Sequence, residues 1–277
     1  MNPRVALTIS VLVFCFSLFV LFYFKISTGE FIKKGIDFKG GKVIELETSG
    51  DVSKLKQKIE SNFKDASVTT STSGFKGKLV VQLPFEEDEE KLYSLFDKNS
   101  TSVVSRYVVS PEIAKGFLTQ ASFGILLAFF LMSFVVFLLF REIVPSFAVI
   151  IAAACDILET MAMMNILGIP LSSVTLVALM MVLGYSVDTD ILLTTRLLKK
   201  RDEGDLEGKI KGAAKTGIMM SLTSLTALLS MIVVAGYSSI FGQLASVLAI
   251  ALLFDLINTW LQNASILKLW LSKVKNK

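Results

Sequence analysis

Six apolar runs, Val5–Phe24, Phe117–Phe140, Pro145–Leu167, Leu171–Thr195, Thr216–Ala235 and Phe241–Leu261, constrain this chain more than any other feature. Each is close to the roughly 20 residues an α-helix needs to cross a hydrocarbon core. The chain has 277 residues, 53% of them hydrophobic, with mean hydropathy +0.64. Soluble domains carry about 45–50% apolar residues with glycine included. The fold class expected is therefore membrane α-helical, with six transmembrane helices. The polar block between the first two runs leaves room for one small domain of about 90 residues. The first run, preceded by Arg4 and followed by Lys25, exceeds a signal-peptide apolar core, and no small-residue cleavage site follows. It reads as a retained anchor. The expected organisation is helix 1 over 1–26, a polar domain over 27–116, five more spans within 117–266, and a basic tail over 267–277.

Several function classes are excluded early. The chain has no histidine, which removes His-liganded zinc, a His general base and a His proton relay. Its two cysteines, Cys15 and Cys155, lie in separate apolar runs without metal-ligand spacing. No phosphate-binding G-x-x-x-x-G-K-[ST] loop is present. Gly184–Asp188 begins like a nucleophile elbow but lacks its last glycine, and no His is available to serve it. The net charge of +4 is accounted for by membrane topology and implies no nucleic acid. No catalytic residue, metal site or cofactor is assigned, and the chain is read as a non-enzyme.

The polar block is balanced, with 14 Lys+Arg and 14 Asp+Glu over Thr28–Gly116. Lys42–Thr48 alternates as a strand does. Asp51 is placed to cap a helix carrying Val52, Leu55, Ile59 and Phe63 on one side. Ala66–Thr72 is β-branched and reads as a strand. Gly74–Gly77 reads as a hairpin loop, Leu79–Leu83 as the return strand, Phe85–Asn99 as a second helix and Ser102–Val109 as the last strand. The acids Glu86–Glu90 suit a solvated first turn. The order β-α-β-β-α-β predicts a ferredoxin-like α+β domain.

Orientation follows from Lys and Arg in the short loops. Arg4, Arg141, the seven in 196–215 and the four in 268–277 lie on one side, and the turns 168–170 and 236–240 carry none. Both termini are expected in the cytoplasm of a multi-pass cytoplasmic (plasma) membrane protein, and the α+β domain outside. Asn99-Ser100-Thr101 is a glycosylation sequon on the outer side; Asn263-Ala264-Ser265 has the same pattern but lies at a membrane boundary, where it should be silent.

Five acids interrupt the apolar runs: Asp156 and Glu159 in the third, Asp188 and Asp190 in the fourth, and Asp255 in the sixth. Each charged acid at a helix centre costs about 2.5–3.5 kcal/mol. Asp156 and Glu159 share a face. Asp255, Asn258, Thr259 and Gln262 form one stripe, and Thr223, Thr226 and Ser230 another. Asp188 shares a face with Gly184 and Thr195, and Asp190 the opposite one with Ser186 and Thr194. Intramembrane acids of this kind mark ion or proton pathways, whereas Ser/Thr stripes serve interhelical packing.

Taken together, these segments resemble the SecD/SecF family of protein-export membrane proteins. Gly35-Ile36-Asp37-Phe38-Lys39-Gly40-Gly41 resembles its G-I-D-F-x-G-G signature. Gly184-Tyr185-Ser186-Val187-Asp188-Thr189-Asp190-Ile191, with Arg196 beyond, resembles the fourth-span segment of SecF, and Ser221-Leu222-Thr223-Ser224-Leu225 its fifth-span S-L-T-T-L. The Asp188-Thr189-Asp190 spelling points to the archaeal branch. Cys155-Asp156 stands where the family has His-Asp, Thr189 where it has the Asp of N-D-T, and Thr216, next to Lys215, where it has an Arg.

The resemblance implies a heterodimer with a SecD-like membrane protein, acting beside the SecYE channel on the emerging secretory polypeptide and embedded in membrane lipid. It implies proton flow through Asp156, Glu159, Asp188, Asp190, Asp255 and Arg196 as coupling candidates. The Gly35–Gly41 segment is expected to couple the outer domain to the membrane, its glycines allowing tight placement and Asp37 positioned rather than catalytic. The alternatives are a self-contained exporter of small solutes or lipids in the same superfamily, and a passive scaffold or holdase whose acids only pack.

Overall fold

The structure is a computed structural model and describes residues 2–63, 66–73, 76–96, 100–199, 206–237 and 239–275. Six helices among these are long and apolar enough to cross a membrane, and a small sheet lies between the first two. The first, α1 (Pro3–Thr28), is capped by Asn2, whose side chain accepts from Arg4 N, and ends on Gly29 at φ 81°. A one-turn helix, α2 (Ile36–Lys39), follows, then β1 (Gly41–Thr48), α3 (Val52–Asn62), β2 (Ser67–Ser73), β3 (Lys76–Leu83), α4 (Glu89–Tyr93) and β4 (Thr101–Val109). The long helices are α5 (Pro111–Phe140), α6 (Ile143–Leu167), α7 (Ser173–Lys199), α8 (Leu206–Ala235) and α9 (Ile240–Ile257). A π-helical turn (Asn258–Asn263) joins α9 to α10 (Ala264–Lys275).

The sheet has four antiparallel strands in the order β2-β3-β1-β4. Ile44 faces Val81 and Leu46 faces Leu79 in the β1–β3 register. With Leu83, Val68, Ile59 and Phe63 of the α3 side, and Leu92 of α4, they form a closed core of their own. Asp51 caps α3 through Ser53 N and Lys54 N, as the sequence suggests. The second helix is much shorter than the expected Phe85–Asn99. Asp88, not a residue near 85, accepts from Glu90 N and starts the helix, and Ser94 closes it. Glu86 and Glu87 thus precede the helix. Glu89, expected to be solvated, is buried and held by Arg106 at 2.7 Å. The hairpin tip at 74–75 and the sequon residue Asn99 lie outside the described residues.

The long helices are unequally enclosed. Over half of the most apolar window of α6 and of α7 is buried, 56% in each, against 6% in α5 and 11% in α8. The helix α9 is close behind at 50%. So α6, α7 and α9 are the centre, and α1, α5 and α8 are the flanks. The stretch 196–215, expected as a polar loop, is helical at both described ends, because α7 runs to Lys199 and α8 starts at Leu206. Their facing residues Leu197, Ala213 and Leu193 pack with Leu267 and Leu271 of α10, so the polar segment has an apolar side. The tail over 267–277 is likewise helical to Lys275.

Candidate functional site

Four of the five intramembrane acids converge where α6, α7, α9 and the π-helical turn meet. Asp156, Glu159 and Asp190 are 0% exposed and Asp255 1%. On α6, Asp156 and Glu159 are one turn apart, and Asn258 of the π turn serves both. Its Nδ2 donates to Asp156 Oδ1 at 2.8 Å and to Glu159 Oε2 at 2.7 Å. Ser186 of α7 donates to the other Asp156 oxygen. Asp190 Oδ1 accepts from Asn263 Nδ2 at 2.7 Å and from Thr259 Oγ1 at 2.9 Å. The same Thr259 hydroxyl lies 3.0 Å from Asp255 Oδ1, and Thr189 Oγ1 lies 2.9 Å from that oxygen. The flank helix α1 reaches in once: Ser10 Oγ sits 3.0 Å from both Asn258 Oδ1 and Gln262 Oε1.

Charge is not balanced here. Among the described residues, no ion pair involves any of the four acids. Their donors are hydroxyls and amides only. Glu159 Oε1, Asp190 Oδ2, Asn263 Oδ1 and Thr194 Oγ1 are buried and accept from no described residue. Unpaired buried charge is far more costly than a missing hydrogen bond, and four carboxylates here cannot all be ionised without a proton or cation to neutralise them. Chemically, the cluster offers carboxylates that can take up and release protons. No group of three or more Cys, Asp or Glu among the described residues is arranged to hold a metal ion.

The sixth-span stripe was legible as Asp255, Asn258, Thr259 and Gln262, spaced as one face of an α-helix. The π turn alters it. Ala264 N–H bonds to Thr259 O, five residues back, and the widened turn lets Asn263, also 0% exposed, face the acids beside Asn258. No local sequence signal announced this. Ser10, a lone serine in an apolar run, was equally silent. Asn263, read as part of a silent sequon, has its amide nitrogen buried against Asp190.

The remaining candidates lie elsewhere. Asp188 is exposed on α7, on a continuous stripe with Val177, Met180, Met181, Gly184 and Tyr185. The two-faced pattern of this helix is real, with the Ser186–Asp190–Thr194 face inside and the Gly184–Asp188 face open. Arg196 stands apart from the acids: its Nη2 donates to Thr216 Oγ1 at 3.0 Å, tying α7 to α8. The fifth-span stripe of Thr223, Thr226 and Ser230 faces outward, each hydroxyl bonding its own helix. The interhelical packing expected of this stripe is not what these hydroxyls serve here, because a hydroxyl on an exposed helix face satisfies itself on a carbonyl three or four residues back.

The Gly35–Gly41 segment forms the joint between sheet and bundle. Gly35 N–H donates to Leu171 O at 2.7 Å, and Leu171 N–H to Lys33 O at 2.7 Å, in a short parallel bridge. Asp37 Oδ2 accepts from Ser173 N at 2.7 Å and from Ser173 Oγ at 2.6 Å, capping α7. Phe38 is buried and stacks on Phe117 of α5 at 5.2 Å. Gly40 has φ 81° and Gly41 φ 148°. A side chain at Gly40 would come within 2.9 Å of Pro111, and one at Gly41 within 2.5 Å of Leu83 O. Only glycine combines that backbone with that closeness. Beside the joint lies a cleft of about 820 Å³, lined by Lys33, Lys34, Lys39, Lys56 and Phe85 among others.

The chain is similar to known proteins along most of its length. Residues 89–273 match the family model described as protein export membrane protein SecD/SecF, C-terminal. A protein-export membrane protein SecF of Methanolacinia petrolearia is 36% identical over 274 residues, covering 98% of this chain and 95% of the relative. Another, of Pyrococcus furiosus, is 35% identical and covers 100% and 94%. Among solved structures, SecDF from Thermus thermophilus, a translocon-associated membrane protein, superposes over the whole chain with a TM-score of 0.79 at 22% identity. The chain spans 38% of that protein's length. Sequence similarity along nearly its full length therefore makes this chain a member of the SecD/SecF protein-export membrane protein family, on the SecF side.

Proposed function

We propose that this chain is one half of a SecD–SecF assembly that promotes polypeptide translocation across the cytoplasmic membrane beside the SecYE channel, and that protons moving through its buried carboxylates drive it. The observation that carries the coupling is the cluster of four buried acids with no cationic partner among the described residues. If all four were charged and central, they would cost about 10–14 kcal/mol on insertion scales. Protonating one removes a desolvation cost and changes which donors it needs, so it biases one helix arrangement over another. The Thr259 hydroxyl, between Asp190 and Asp255, has a single hydrogen to donate and two carboxylates to serve.

The joint supplies the transmission. Asp37 holds the start of α7, the helix that carries Ser186, Thr189 and Asp190. A shift of α7 thereby pulls on the segment leading into β1. In this reading the sheet is a ferredoxin-like domain outside the membrane, both termini are cytoplasmic, and the emerging chain passes the lysine-lined cleft. The exposed α7 stripe with Asp188 is the surface that the SecD-type partner covers, with membrane lipid around the flanks.

The test is Asp156→Asn, Asp190→Asn and Asp255→Asn in cells, scoring export with and without an ion gradient and co-purification of the second membrane subunit. Loss of gradient-dependent export with assembly intact is expected. Export that stays normal in all three variants overturns the coupling.

A further inference from the structure

Two buried atoms without partners belong to one hydrogen-bonded pair. Asp190 Oδ1 accepts from Asn263 Nδ2 at 2.7 Å and from Thr259, while Asp190 Oδ2 and Asn263 Oδ1 accept from nothing described. Both side chains are 0% exposed. An acceptor-only carboxylate oxygen and an acceptor-only amide oxygen are both short of a hydrogen. Leaving both unsatisfied is costly. A carboxylic acid and a primary amide already joined by N–H···O on one edge can close O–H···O on the other, and only the protonated acid brings that hydrogen.

We infer that Asp190 holds a proton on Oδ2 and donates it to Asn263 Oδ1, and that the π-helical turn exists to present this amide. Asn263 is a positioning residue: it recognises the acid form and not the carboxylate, whose oxygen would face the amide oxygen. The π turn is needed because Asn258 must face Asp156 and Glu159 at the same time. Five residues separate the two asparagines, the spacing of a π turn's own hydrogen bonds. In an α-helix residues five apart lie on different faces, so tightening the turn would withdraw one amide. Loss of the proton removes the bond that rewards the π form, which couples occupancy of Asp190 to helix register. The acids nearest to Asp190 are Asp255 across Thr259 and Asp156 on α6, and no Lys or Arg among the described residues pairs with it. This inference rests on reading the cluster as the coupling site.

Infrared spectroscopy of the full chain in lipid nanodiscs at neutral pH tests it. A carboxylic C=O band is expected that disappears in Asp190→Asn and moves to higher frequency in Asn263→Leu, where its hydrogen-bond acceptor is gone. Asn263→Gln, which keeps an amide, returns the band toward its wild-type position; it also serves if the leucine variant does not fold. A wild-type spectrum that Asp190→Asn leaves unchanged overturns the inference. So does a band present in potassium and abolished in sodium, which would make Asp190 a cation ligand. If the band behaves as expected but Asp190→Asn exports normally under a gradient, the acid–amide pair stands and the coupling reading falls.

Discussion

Asn258 is the residue on which the α6 acids depend most. Its Nδ2 reaches Asp156 and Glu159, and its Oδ1 faces Ser10 of α1. Asn258→Ala strips one donor from each acid. Each orphaned buried group costs about 1–3 kcal/mol, so the thermal midpoint of the chain in nanodiscs should fall by several degrees; an unchanged midpoint contradicts this. Thr259→Val tests a different property. Valine nearly matches the shape but has no hydroxyl to link Asp190 with Asp255. Gradient-dependent export should drop well below wild type while the folded protein is still recovered from membranes; undiminished export would rule Thr259 out of the pathway. The acids themselves were legible, since a carboxylate in an apolar run has few innocent explanations. Which face of α7 turns inward was not. Asp188 and Asp190 differ by two positions, and a single helix does not reveal its own neighbours. The π turn was hidden for a related reason: Asp255, Asn258, Thr259 and Gln262 already satisfy an α-helical stripe, so nothing in the spacing asks for Asn263 as well.

Element boundaries follow caps more closely than hydropathy. The six apolar runs gave the number of spanning helices, because membrane length is a demand that composition alone must meet. They did not give the ends. The helices α7 and α8 continue into charged sequence because Leu193, Leu197 and Ala213 keep an apolar side under the charges. In the sheet domain, α4 is five residues long since Asp88 and Ser94 cap it from both sides. The most consequential cap comes from another element. Asp37 lies 136 residues before Ser173 and accepts from both its backbone N–H and its hydroxyl. Asp37→Ala should cost about 0.5–2 kcal/mol, as lost N-caps do, and should speed hydrogen exchange in the first turn of α7 and in Gly35–Gly41 together. Asp37→Asn, which keeps an acceptor oxygen, should protect most of that turn. Exchange that rises in only one of the two segments would show that they are not mechanically joined.

At the scale of the whole molecule, the bundle is asymmetric in a way a finished helical bundle is not. A helix enclosed over 56% of its apolar window belongs to the centre, yet α7 leaves Val177, Met180, Met181, Gly184, Tyr185 and Asp188 on one open stripe. Lipid suits the apolar members of this stripe. It does not suit Asp188, which no hydrocarbon surface would hold ionised at low cost. Small and polar residues on one helix face are what a close helix–helix contact in a membrane uses. The solved SecDF chain is longer, and this chain spans 38% of its length. Cysteines placed at Met181 and Asp188 should therefore cross-link to the co-purifying membrane subunit. Cysteines at Val233 and Val234, 82% and 88% exposed near the end of α8, should not. Gly184→Trp, which puts an indole where the structure has open space within 4 Å, should abolish co-purification without unfolding the chain, whereas Phe130→Trp on the exposed face of α5 should leave it intact. If Gly184→Trp still recovers the second subunit in full, the open stripe faces lipid.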